Sequence, residues 1–167
     1  MEPMRRKDRE ITEFSDIVDV LGRCDVLGRC DVVRLGLNDD GYPYILPLNF
    51  GMDTDGGKIR LYFHSALEGH KVGLIAKDSR ASFEADTKHE LGYDEEKGYC
   101  TYYYESVMGK GRITVLEGEE KQAALEKLME HYHPGKNAYF NPAAIPRTLV
   151  YRLDVEEVTG KRKMPKG

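Results

Sequence analysis

Apolar residues recur at helical spacing in three stretches of the chain and alternate with polar ones through most of the rest. In the first helical stretch Phe14, Ile17, Val18 and Leu21 fall at i, i+3, i+4 and i+7, and Thr12 stands where it can cap them. A helix is predicted from about Glu13 to Leu21. Val32 to Leu37 reads as a strand, Asn38-Asp39-Asp40-Gly41 as a hairpin turn and Tyr44 to Phe50 as the return strand. After a turn at Asp53 to Gly57, Lys58 to His64 alternates cleanly, with Ile59, Leu61 and Phe63 on one face and Arg60, Tyr62 and His64 on the other.

A short helix follows from about Ala66 to Lys77, then a strand with Ala81, Phe83 and Ala85 facing inward. Lys88 to Gly98 is polar and acidic and reads as a surface loop. Cys100 to Leu116 is a long β segment in which Gly109 and Gly111 permit a sharp bend. Glu119 to Tyr132 is the third helix, with Leu125, Leu128, Met129 and Tyr132 as its stripe, and Thr148 to Val158 is the last strand. Six strands joined mostly by tight turns, with three helices, predict a mainly β, single-domain architecture over residues 1–167, a six-stranded antiparallel barrel. A βαβ rhythm and a glycine-rich phosphate fingerprint are both missing, which argues against a Rossmann fold. The hexapeptide Val-Leu-Gly-Arg-Cys-Asp occurs twice in succession, at Val20–Asp25 and Val26–Asp31. Six residues match no solenoid unit, so it reads as a local duplication between helix and strand.

Composition narrows the class. The 167 residues are 40% hydrophobic with no long apolar run, so no membrane span is expected; the charged start, Arg5-Arg6-Lys7, is no signal core, and a cytoplasmic location follows. Twenty-five basic against twenty-nine acidic residues give a net charge of −4, which disfavours nucleic acid as partner. The three cysteines, Cys24, Cys30 and Cys100, form no ligand-spaced pair and read as reduced, buried filler. His131 and His133 diverge at i, i+2 on a helix, so no metal is expected and their role is favourable charge at a helix end.

Two segments carry candidate chemistry. Ser65-x-x-Glu68 is a capping-box pattern that places a helix N-terminus directly after a strand, where free amides favour an anion. His70 and Lys71 follow at once. The helical wheel sets Lys71 among Leu67, Leu74 and Ile75, on the inward face; it either snorkels outward or meets a negative partner. In the second segment, Pro47 interrupts a strand pattern and implies an edge or bulge. Such an edge either guards against aggregation or pairs its backbone with a flat heteroaromatic ligand.

Three segments resemble those of the nitroimidazole-resistance proteins of the pyridoxamine 5′-phosphate oxidase-like split-barrel superfamily. They are Gly41–Phe50, Tyr62–Lys71 and Glu105-Ser106-Val107-Met108-Gly109-Lys110-Gly111; Met4–Glu10 and Glu156–Lys161 match the same pattern. The resemblance covers nearly the whole chain in order. It implies a split-barrel homodimer with FMN across the interface. Leu46, Pro47, Leu48, Asn49 and Phe50 would lie along the isoalloxazine, His64 and Ser65 at its edge, His70 and Lys71 at the phosphate, and Ser106 and Met108 near the dimer interface. The chain departs from the family's true oxidases, which end in a tail bearing tryptophan and arginine: it has no tryptophan and ends Met164-Pro165-Lys166-Gly167. The hexapeptide duplication is also foreign to the pattern.

The activity the resemblance implies is FMN-dependent reduction of a small aromatic substrate, nitroaromatic or quinone-like, with His64 as proton donor or substrate contact, since imidazole titrates near neutrality. The alternatives are a flavin- or haem-binding module without catalysis and a ligand-free oligomerisation protein.

Overall fold

The computed structural model describes residues 4–22, 30–136 and 140–165. Its strands are β1 (Glu10–Ile11), β2 (Val33–Asp39), β3 (Tyr42–Leu48), β4 (Gly51–Asp55), β5 (Lys58–Ala66), β6 (Arg80–Asp94), β7 (Tyr99–Leu116) and β8 (Thr148–Lys163). The helices are α1 (Phe14–Gly22), α2 (His70–Lys77) and α3 (Gly118–Tyr132). All strand pairs are antiparallel in the order β3-β2-β6-β7-β8-β5-β4, with β1 paired to β8 outside that path.

The connectivity forces this sheet to curl. Its two end strands, β3 and β4, are joined by only Asn49 and Phe50. Laid flat, strands about 4.8 Å apart would separate the ends by roughly 29 Å. A two-residue link spans at most about 10 Å. The path therefore closes on itself, yet β3 and β4 are not paired, so the barrel is split at that point. Gly109 and Gly111 do permit the bend expected of them: the β7–β8 register slips between Lys110 and Gly111, and a Cβ on Gly111 would lie 2.0 Å from the Asp154 carbonyl oxygen.

Alternation along each strand fills the interior. Val33 and Leu35 of β2, Leu61 and Phe63 of β5, and Tyr151 and Leu153 of β8 are fully buried, and the Phe63 and Tyr151 rings stack at 5.5 Å. A second apolar cluster forms where α3 lays Ala124, Leu125 and Leu128 against Tyr62, Leu116 and Val150. Gly51 makes the contact possible, because a Cβ there would stand 2.6 Å from the backbone of Lys127 and Leu128. The helix thus sits directly on the split.

Four expectations need correction. The strands number eight among the described residues, because β4 uses residues read as a turn and the two-residue β1 adds to β8. The polar stretch from Lys88 is largely a hairpin, with Glu90 to Asp94 paired to Tyr103 to Tyr99 beyond a register shift at Thr87/Glu90. Its residues are polar because this arm exposes both faces, which hides the strand period. The second helix begins at His70 rather than Ala66: β5 continues through Ala66, paired to Thr148, and Gly69 at φ +133° turns the chain into α2. Ser65 therefore caps nothing; its hydroxyl donates to the Ala66 carbonyl at 2.9 Å. Finally, Cys30 is buried but Cys100 is exposed; Cys24 and most of the duplicated hexapeptide lie outside the described residues. No helix among the described residues is long and apolar enough to cross a membrane.

Candidate functional site

The split in the barrel and the helix above it meet at one cavity of about 460 Å³. Leu125, Leu128 and Met129 of α3 give it an apolar wall, Phe140 and Ile145 close it from the segment before β8, and Asn49 and His64 stand at its polar rim. The Tyr132 hydroxyl fixes the rim. It donates to the Asp31 carbonyl at 2.6 Å and accepts from the Phe50 N–H at 3.1 Å and the Asn49 amide nitrogen at 3.2 Å. One side chain at the end of α3 thereby anchors the two residues that bridge the split.

His64 projects from the outer face of β5 between the buried Phe63 and the half-buried Ser65. Partial burial holds its pKa below the ordinary imidazole value, and the Lys71 ammonium adds to the depression. Lys71 lies half-buried in the first turn of α2 and forms no ion pair with a described residue. An unneutralised ammonium, a nearby imidazole and the amides opening α2 make a cradle for an anion. His70 is less available: its Nε2 is 2.7 Å from Asp39 Oδ2, and its ring meets Tyr44 edge-on at 5.1 Å. It ties α2 to the end of β2.

On the other side of the split, β3 has no strand neighbour beyond β2 among the described residues. Its ladder to β2 is continuous from Leu48 to Tyr42, so Pro43 and Pro47, four apart, turn their missing donors to the open side. That edge presents the carbonyls of Pro43, Ile45 and Pro47 with the single N–H of Ile45 between them, a pattern suited to a planar ring bearing both donors and acceptors. Leu46 and Leu48 are half-buried and pack on the core, whereas Pro47 is exposed. Phe50 is fully buried 4.3 Å from His131, so with its N–H engaged it offers only its carbonyl.

Ser106 and Met108 are not part of this constellation within one chain. Leu116 is the β7 residue level with His64 through Val150. Met108 precedes it by eight positions, about 26 Å of strand. Ser106 donates weakly to the Lys161 carbonyl at 3.5 Å, and Met108 is 52% exposed on the outer face. Sequence reasoning missed the cavity wall, because the stripe of α3 reads as ordinary core, and missed Tyr132 as the anchor of the rim. His131 is a further correction: it is buried, its Nε2 lies 3.3 Å from the Cys30 carbonyl, and burial lowers its pKa, so it is no helix-end cation. Among the described residues, no cluster of three His, Cys, Asp or Glu could hold a metal ion.

No curated protein matches the chain. Among solved structures, a candidate 5-nitroimidazole antibiotic resistance protein of Bacteroides thetaiotaomicron is 27% identical over 92% of this chain and 86% of its own, with a TM-score of 0.78. The flavocytochrome of Azotobacter vinelandii superposes with a TM-score of 0.78 at 17% identity, covering 98% of this chain and 73% of its own. The FAD- and haem-binding protein of Mycobacterium smegmatis does so with a TM-score of 0.74 at 17% identity, covering 95% and 76%. The model of the pyridoxamine 5′-phosphate oxidase family matches residues 22–162. With that match over most of its length and a split antiparallel barrel for a fold, this chain belongs to the pyridoxamine 5′-phosphate oxidase family.

Proposed function

We propose that two copies of this chain hold FMN between them and reduce small nitroaromatic or quinone-like compounds. The observation that carries the reading is Lys71, half-buried with no carboxylate partner among the described residues, close enough to depress the pKa of His64, which stands at the rim of an apolar cavity. The residues fit the cofactor on two independent grounds. The Lys71 ammonium and the first amides of α2 suit a phosphate, and the proline-flanked edge of β3 suits the donor and acceptor atoms of a flavin ring.

Bound there, FMN would supply the electrons. Lys71 would neutralise the phosphate, and that negative charge would in turn ease protonation of His64. A ring nitrogen of His64 would then hold a proton for the substrate, while the Leu125, Leu128 and Met129 wall excludes water around it. The second copy supplies what one chain lacks. Arg34, paired with Pro47, links through Glu84 to Met108, so Pro47 and Met108 lie in one row on the outer face. With Ile45 64% exposed beside them, that face is the one offered to the partner. Cytoplasmic residence belongs to the same proposal and agrees with the free thiols of Cys30 and Cys100.

The test is a flavin titration followed by turnover. Fluorescence quenching should show FMN binding by the wild type, weakened at least about tenfold in Lys71→Ala. Anaerobic reduction of a 5-nitroimidazole with excess reductant should then proceed. His64→Ala should keep the flavin and lose roughly 100-fold in kcat. Protein that ignores FMN refutes the reading, and a haem-type absorption band on adding haemin would replace it with the haem-binding alternative.

A further inference from the structure

A second cleft, of about 900 Å³, lies along the outer half of the β6–β7 arm, away from the cavity under α3. Its wall is cationic and aromatic at once. Arg6 and Arg9 reach it from the segment before β1, Lys97 from the arm tip, and Arg162 and Lys163 from the end of β8; only Asp8 and Asp94 oppose these five. The carboxylates are already spent. Asp8 holds the Arg6 guanidinium at 2.5 and 2.7 Å, and Asp94 holds the Lys97 ammonium at 3.1 Å. Arg162 turns to Asp16 of α1 at 3.1 Å. Arg9 makes no ion pair with a described residue, and Lys163 donates to neutral partners, the Tyr99 hydroxyl at 3.0 Å and the Thr101 hydroxyl. Among the described residues, two cations on this one wall thus form no ion pair.

The aromatic part is preorganised. Tyr99, 52% exposed, and Tyr103 line the cleft from one face of the arm, the face that Asp94 and Gly92 share by register. The Tyr103 ring lies flat against Gly92, with its atoms 2.6–2.8 Å from where a Cβ would stand. Only glycine at 92 lets that ring lie so low. Exposed rings beside paired cations recognise a ligand that joins a flat base to a compact anion: the rings stack, and the guanidinium and ammonium take the charge.

We propose that this cleft binds the diphosphate and base of a nucleotide, with Arg9 and Lys163 on the phosphates and Tyr99 and Tyr103 on the base. The cleft stands apart from His64 and Lys71 in the fold, and the proposal does not rest on the FMN reading. The ligand is therefore a separate nucleotide, such as a pyridine dinucleotide reductant.

Calorimetric titration of the full chain with ADP tests it, with adenosine and inorganic phosphate as controls. ADP should bind at least about tenfold more tightly than either control. The double variant Arg9→Gln/Lys163→Gln and the single Tyr99→Ala should each lose at least about tenfold for ADP while leaving FMN binding unchanged. Lys71→Ala should leave ADP binding intact, which separates failure here from failure of the FMN reading. ADP should also bind to FMN-loaded protein, and displacement of FMN by ADP would overturn the separation of the two sites. ADP that binds no better than adenosine, or equally well to folded variants, overturns the proposal; a circular-dichroism melt establishes that they fold.

Discussion

Replacing Gly51 by alanine should pry α3 off the barrel. The new Cβ would stand 2.6 Å from the Leu128 nitrogen and the Lys127 carbonyl carbon, and 2.8 Å from the Lys127 oxygen. Carbon contacts are comfortable from about 3.5 Å, so the helix must retreat by roughly 1 Å. All three atoms belong to the helix backbone, so no side chain can swing aside to relieve the clash. Gly51 does not use a left-handed φ, so the cost is that of contact alone. Forcing a methyl into such packing costs about 1–3 kcal/mol. The retreat also loosens Leu125 and Leu128 against Tyr62 and Val150 and stretches the Tyr132 hydrogen bonds to Asn49 and Phe50. The total comes to about 2–4 kcal/mol, a fall in Tm of roughly 5–15 °C for a chain of this size. Thermal unfolding followed by circular dichroism reads it directly. Gly73→Ala is the matched control: it lies within α2 with nothing within 4 Å of a new Cβ, and should raise stability by about 0.5–1 kcal/mol. An unchanged Tm for Gly51→Ala, or an equal fall in both variants, would refute the seating of α3 on β4.

Three further outcomes are expected. Lys71→Ala should raise the His64 pKa toward its ordinary value by removing a neighbouring positive charge, as followed by imidazole NMR; an unmoved pKa would place Lys71 too far from His64 to share an anion. His64 and His131 both have folded-state pKa values below 6.5, so the unfolded chain binds more protons and stability should decline as pH falls from 6.5 through the folded values. His131→Gln should flatten that decline in Tm against pH, and an identical slope would remove His131 as a cause. Burial first, and the nearby Asp86 carboxylate second, push the Cys30 thiol up to about 12, while Cys100 lies exposed. Iodoacetamide on native protein, read by peptide mass spectrometry, should therefore label Cys100 and reach Cys30 only after denaturation. Labelling of native Cys30 would count against its burial.

The local sequence determined much of the frame. Alternation through Lys58 to His64 and the stripe Leu125, Leu128, Met129, Tyr132 gave their elements correctly, because each depends on a face that the residue period alone defines. The bend at Gly109 and Gly111 was legible for the same local reason: only a residue without Cβ lets β8 cross so near. Where a neighbour decides, the sequence misleads. The Ser65-x-x-Glu68 pattern is a sound capping signal, yet Ser65 and Ala66 stay in β5 because pairing with Leu149 and Thr148 satisfies their backbone better than a helix start would. The arm carries no strand period because water lies on both its faces. His131 looked like a helix-end cation and became a buried ring against Phe50, since what covers a side chain is a matter of packing. The family resemblance grouped His64, Lys71 and Asn49 around one ligand, but no local pattern made them neighbours or brought Tyr132 to them. Their meeting follows from the two-residue bridge across the split, a closure set by the whole sheet path and by no local segment.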